Sequence, residues 1–193
     1  MSIAPWRSAI ARALHRNRSL VYARYLQLAT IRENGRPANR TVVFRGFLED
    51  SNQLKFITDA RSDKVDQIEK QPWAEICWYF PHTREQFRLS GCLTLIRDDD
   101  SHPNQPARIK IWQELSDAAR LQFAWPDPGK PRVDQPEAFE PSPPNPAQPV
   151  ANFCLLLLDP QEVDHLELRG EPQNRRIYCR NEQQEWSTQE INP

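Results

Sequence analysis

Residues 39–47, NRTVVFRGF, decide how the chain is read. Thr41, Val42, Val43, Phe44 and Phe47 are β-branched or aromatic, the composition of a strand. Arg40 and Arg45 lie on that same strand, and burying an unpaired guanidinium is costly. On a flat strand these two positions face opposite sides, so one compact anion cannot serve both without a bulge. The competing reading pairs Arg45 with Glu49 or Asp50.

Working outward, the chain reads as strands joined by short connections. Residues 25–32 alternate as a strand, and Asn34-Gly35 is the two-residue hairpin signal that leads into 39–47. A turn at 48–53 precedes a short strand at 54–58. Further strands are expected at 74–80, 85–96, 152–159, 162–168, 175–180 and 185–189, with Gly91 marking a bulge or bend. Residues 5–16 form a short amphipathic helix, and Ser62 caps a helix that carries Val65 and Ile68 on one face. Residues 107–124 read as two helices broken at Ser116. Residues 126–149 hold 9 of the 18 prolines and can be neither helix nor central strand, so they form an extended insertion within the domain. Hairpin-length connections make the strands antiparallel, and about eight of them curl naturally into a barrel. The class is mainly β (α+β), one domain over 1–193 with short flanking helices.

With 25 basic and 26 acidic residues, the chain lacks the basic excess of a general nucleic-acid or membrane binder. No apolar run approaches the ~20 residues of a membrane span. The opening residues lack a signal-peptide core, and Cys77, Cys92, Cys154 and Cys179 show no C-x-x-C spacing. Reduced thiols in a cytoplasmic protein are expected. The four histidines have no ligand-like spacing, so no metal is expected. Five glycines supply no Gly-rich phosphate loop. Trp73, Trp78 and Trp112 are expected in the core.

Residues 56–68, FITDARSDKVDQI, carry the chemistry. A strand ends at Thr58 and a helix begins at Ser62, where free N–H groups and a partial positive charge favour an anion. Thr58, Ser62, Arg61 and Lys64 surround that point, and a tight turn brings Arg40 beside Thr58. These are phosphate-binding donors. An ordinary capped helix with solvated charges is the alternative.

In order and spacing, NRTVVFR, FITDARSDKVDQI and CWYFPHTREQFRLSG resemble the FMN-binding split barrels of the pyridoxamine 5'-phosphate oxidase family. SDAARLQFAWPDPG is similar to a subgroup of that family without an assigned substrate. The resemblance implies an antiparallel Greek-key split β-barrel, an FMN cofactor and a homodimer with the flavin between subunits. It places Arg40 on the FMN phosphate, Val42 and Val43 beside the flavin ring, and Arg45 near flavin and substrate. Thr58, Ser62 and Lys64 match further flavin contacts, Gln86 reaches the flavin across the dimer, and Arg176 or Arg175 is a C-terminal contact. FMN, with a phosphate at one end and rings at the other, could take one arginine at each end.

The departures are Asp63 at a phosphate-binding arginine, Ile57 at a flavin-side tyrosine and Leu166 at a tryptophan. Pro172 and Asn174 stand where the oxidase carries a substrate-binding Arg-x-His pair, and neither offers a cation or an imidazole. No residue stands out as a general base. Arg120 could reach the phosphate or a substrate carboxylate, or lie on a packing helix; Trp125 could wall the flavin or anchor the proline-rich segment. The implied function is an FMN-dependent oxidoreductase of unknown substrate. The alternatives are a non-catalytic flavin-binding module and an OB-like binder of single-stranded nucleic acid.

Overall fold

The structure, a computed structural model, describes residues 3–98 and 101–193. Its eight strands are β1 (Tyr25–Ile31), β2 (Pro37–Val43), β3 (Leu54–Asp59), β4 (Trp73–Phe80), β5 (Glu85–Ile96), β6 (Phe153–Glu167), β7 (Asn174–Arg180) and β8 (Trp186–Ile191). The helices are α1 (Trp6–Arg16), α2 (Asp63–Lys70), α3 (Gln105–Gln113) and α4 (Asp117–Leu121).

All pairings are antiparallel, in the order β2-β1-β4-β5-β6-β7-β8, with β3 pairing β6 off that path. Among the described residues no continuous ladder closes the ring. Its ends, β2 and β3, meet through the chain just after β2: Arg45 N donates to Lys55 O (2.9 Å), Lys55 N to Gly46 O (2.8 Å), and Phe47 bridges Leu54. This is the expected split-barrel arrangement.

The two strands expected at 152–159 and 162–168 are one strand, β6. Pro160, which has no N–H to give a ladder, sits where the β5–β6 register shifts, opposite Gly91. The shift lets one long strand bend and serve two neighbours: its first half pairs β3 and its second half β7. The hairpin between β1 and β2 is longer than a two-residue turn. Arg32 N donates to Arg36 O and Gly35 N to Arg32 O, with Gly35 at φ +75°, so Gly35 supplies the left-handed residue of a three-residue loop.

Alternation sets the layers. Leu26 and Leu28 of β1, Leu54 and Phe56 of β3, Ile76 and Trp78 of β4, and Phe87 and Leu89 of β5 fill the barrel, and Trp6 and Ile10 of α1 cover it. The outer face of β6 packs Leu155 and Leu157 beneath Ile111 and Trp112 of α3. Both faces of this half-strand are buried, which explains why residues 153–158 are apolar without interruption. Trp73 departs from expectation. It lies on the outward register of β4 with Tyr79 and is 43% exposed.

The proline-rich segment has no strand and one short 3₁₀ turn, Pro136–Phe139. Side chains from the body hold its main chain: Trp112 Nε1 donates to Asn145 O (2.9 Å), Gln113 Nε2 to Ala147 O (3.1 Å) and Arg108 Nη2 to Val150 O (3.0 Å).

A Cβ on Gly91 would stand 2.1 Å from Asp159 O, and backbone cannot rotate aside. Gly91→Ala should therefore cost about 1–3 kcal/mol. A urea melt checks this through a lower midpoint at unchanged slope.

Candidate functional site

Arg40 lies opposite Leu28 on the inward register of β2. Its Nη1 donates to Thr30 Oγ1 (2.6 Å) and Leu28 O (3.2 Å), and its Nη2 to Gln67 Oε1 (3.0 Å). Thr30 Oγ1 in turn donates to Gln67 Oε1 (2.6 Å). The guanidinium is thus aimed by neutral groups from β1 and α2. Lys64 Nζ donates to Thr58 Oγ1 (2.9 Å) and Ser62 Oγ (3.0 Å), and these two oxygens are 3.3 Å apart.

Ser62 stands at the N-cap position of α2 but makes no side-chain capping bond. Its hydroxyl accepts from Lys64 instead. Among the described residues, neither Arg40 nor Lys64 has a carboxylate at ion-pair distance, in contrast to Arg61. Burial lowers the Lys64 pKa, and the Arg40 guanidinium lowers it further, against opposing pulls from Asp59 and Asp63. Burial lowers that of Arg40 as well, with Arg32 adding to it. Two partly desolvated cations beside two hydroxyls have the chemistry of a phosphate-binding site. These residues therefore fit the phosphate of FMN. Asp63 is exposed, so its charge stands toward solvent.

Arg61 does not join this group. It is fixed by Asp59, through Nε (2.9 Å) and Nη2 (2.7 Å), and by Asp127 and the carbonyl of Trp125 through Nη1. It anchors the start of the proline-rich segment. Arg120 is buried and bonded within its own helical hairpin, to Trp112 O, Leu115 O and Asp117.

Arg45 is on the other face. It lines a cleft of about 670 Å³ with Val43, Tyr25, Ile57 and the segment from Trp125 to Phe139. Its Nε is buried with no hydrogen-bond partner, and Glu49 pairs with Lys110 rather than with it. Burial lowers its pKa, and the nearby Arg24 adds to this. Val42 packs against the barrel core, and Val43 faces the cleft. β2 ends at Val43, short of the strand expected over 39–47, so Arg45 lies just beyond it, but the two arginines do face opposite sides.

Gln86 lies elsewhere, on the outward face of β5 in a row with Leu166 and Arg175. Cys77 Sγ is 3.8 Å from its Oε1. Arg175 and Arg88 both bond Asp164. Burial raises the Asp164 pKa, but the bonds from Arg175 and Arg88 outweigh it and hold the carboxyl low. Arg176 sits in the adjacent row, opposite His165, with its guanidinium near Glu190 (3.2 Å) and Glu167 (3.4 Å). One chain thus gathers Arg40, Thr58, Ser62 and Lys64, places Arg45 and Val43 in the cleft, and leaves Gln86, Arg175 and Arg176 apart from both.

Thr30 and Gln67 were missed by sequence reasoning. Gln67 lies one helical turn from Lys64 on α2, and this spacing was the available signal. Glu85, His165 and Glu167 also converge within 4.8 Å. His165 is 1% exposed and stacked on Phe87, and Arg176 already pairs with Glu167.

A model of the "Pyridoxamine 5'-phosphate oxidase, FMN-binding domain" matches residues 3–97. "Pyridoxine/pyridoxamine 5'-phosphate oxidase 2" of Arabidopsis thaliana is 39% identical over 203 residues, covering 99% of this chain and 98% of the relative. The crystal structure of a pyridoxamine 5'-phosphate oxidase-related, FMN binding protein from Nostoc punctiforme superposes with a TM-score of 0.98 at 77% identity, over the whole of both chains. PhzG from Burkholderia lata shares the fold, with a TM-score of 0.77 at 19% identity over 100% of this chain and 94% of that one.

Because a charged hydrogen bond contributes about 1.5–3 kcal/mol, Arg40→Ala and Lys64→Ala should each weaken FMN binding roughly 10- to 100-fold, as read by flavin fluorescence titration. The lowered Lys64 pKa also gives a sign. The folded, ligand-free chain releases this proton before the unfolded chain does. Stability of the flavin-free protein should therefore rise with pH between the lowered folded pKa and the ordinary value near ~10.4. Lys64→Met should flatten that rise in pH-dependent melts.

Proposed function

Since the chain belongs to the FMN-binding pyridoxamine 5'-phosphate oxidase family, we propose that it is a dimeric FMN-dependent oxidoreductase. The carrying observation is the pair of half-buried cations, Arg40 and Lys64, whose hydrogen bonds among the described residues go to neutral oxygens. In this reading Arg40, Thr58, Ser62 and Lys64 hold the flavin phosphate. Val42 and Val43 run beside the ring system, and Arg45 faces it with a guanidinium whose buried Nε has no hydrogen-bond partner among the described residues. Bound FMN supplies hydride or electron transfer. The chain's own part is to bind, to orient, and to keep positive charge beside the ring where negative charge develops on reduction.

Gln86 reaches the flavin from a second subunit in this reading. Tyr25 and Tyr79, 47% and 45% exposed, stand in the Gln86 row on the outward registers of β1 and β4, and Trp73, 43% exposed, lies at the other end of β4 on the same face. A second copy would cover these rings, since a face of this kind marks an association surface. Within that row Arg175 is better placed than Arg176 to act with Gln86, provided Asp164 releases it.

The test begins with colour. Purified protein should carry a visible flavin spectrum, and denaturation should release FMN. A colourless protein that stays empty when offered FMN would refute the reading. Reduction by NAD(P)H and reoxidation in air should cycle, whereas flavin bound without turnover under any donor would make the chain a binding module. Light scattering should give a dimer, and Tyr79→Lys should shift it toward monomer with weaker flavin retention.

A further inference from the structure

Acids hold the other arginines packed into this chain. Arg61, Arg108, Arg120 and Arg180 meet Asp59, Asp98, Asp117 and Asp159 at 2.5 to 2.9 Å. Arg40 is oriented differently. Its bonds go to Thr30 Oγ1, Leu28 O and Gln67 Oε1, and none of these carries a charge.

Three side chains close a small ring. Thr30 Oγ1 accepts from Arg40 at 2.6 Å, so its one proton is directed at Gln67 Oε1, also 2.6 Å away. Gln67 Oε1 takes a second donor, Arg40 Nη2, at 3.0 Å. This fixes the amide, because its NH2 turned to that side would oppose the guanidinium. Thr30 is 1% exposed and Gln67 half-buried. Three of the five guanidinium N–H groups are engaged in this way. The Nε–H and one proton of Nη2 are left for an oxyanion, which a guanidinium can grip with two prongs.

Position 67 is where an acid would follow the pattern of the other arginines. Glutamate has the length and shape of glutamine and would reach the same nitrogen. It would orient Arg40 equally well, yet oppose its charge. Lys64 lies three residues earlier on α2 and feels the Arg40 charge, so a carboxylate at 67 would act on both cations. With an amide there, the arriving anion supplies the charge-assisted bond instead.

We propose that Gln67 and Thr30 are positioning residues that aim the Arg40 guanidinium without neutralising it, and so set a preference for phosphorylated flavin over riboflavin. The ligand in this statement rests on the FMN reading above; the aiming of Arg40 does not.

Flavin-free wild type, Gln67→Glu and Thr30→Val are each titrated with FMN and with riboflavin by flavin fluorescence, and each is melted without ligand. Wild type should favour FMN. Gln67→Glu should lose about tenfold or more in FMN affinity, hold riboflavin within about twofold of wild type, and melt no lower than wild type. A residue that served only the fold would not separate the two flavins. Thr30→Val, which matches threonine in shape, should lower the same ratio less, since Arg40 keeps its charge and loses its aim. Should Thr30→Val fail to fold, Gln67→Glu still decides, because it changes charge and not shape.

A wild-type flavin preference retained in Gln67→Glu overturns the proposal. So does equal loss of both flavins, or a wild type that binds both alike. A wild type that binds neither flavin refutes the FMN reading instead, and inorganic phosphate becomes the probe. Phosphate should then raise the melting temperature of wild type more than that of Gln67→Glu, and equal rises or none overturn the positioning role as well.

Discussion

Strand β6 bonds β5 along one edge and divides its other edge between β3 and β7. That division distributes the chemistry. β3 delivers Thr58 and feeds α2, which carries Lys64 and has Ser62 at its N-cap; β7 carries Arg175 into the row of Gln86. The division requires a strand that bends midway, and the bend requires Gly91 against the Asp159–Pro160 backbone. A side chain at Gly91 would disturb both halves of the arrangement together.

The arginines separate into two populations. Arg61, Arg108 and Arg180 pair with carboxylates and tie distant segments together. Among the described residues Arg40, Arg45 and Lys64 have no carboxylate at ion-pair distance. Partly burying cations in this way disfavours the empty protein, and the lowered pKa of Lys64 points the same way. An arriving anion relieves it, so part of the affinity for a phosphate is stored as unrelieved desolvation in the fold itself.

Much of this was legible in the chain. The strand through 39–43, the opposed Arg40 and Arg45, the bulge at Gly91 and the helix break at Ser116 follow from alternation and turn chemistry, whereas the stretch 44–47 leaves the ladder and touches β3 through an isolated bridge at Phe47. The continuity of β6 was not legible, because Asp159-Pro160 reads locally as a strand end. Arg61 was grouped with the phosphate ligands because spacing alone cannot show that Asp59 and Asp127 reach it first. Trp73 was read as core from its hydrophobicity, although its register on β4 points outward. Thr30 and Gln67 escaped notice because neutral residues gain meaning only once Arg40 is seen to be aimed by them.

The anchors of the proline-rich segment take hold of main-chain oxygens: those of Trp125, Asn145, Ala147 and Val150. A carbonyl is the same whatever side chain accompanies it. The path of the segment is thus largely decoupled from its own sequence, and residues such as Lys130 and Arg132 can be exchanged without rerouting the chain.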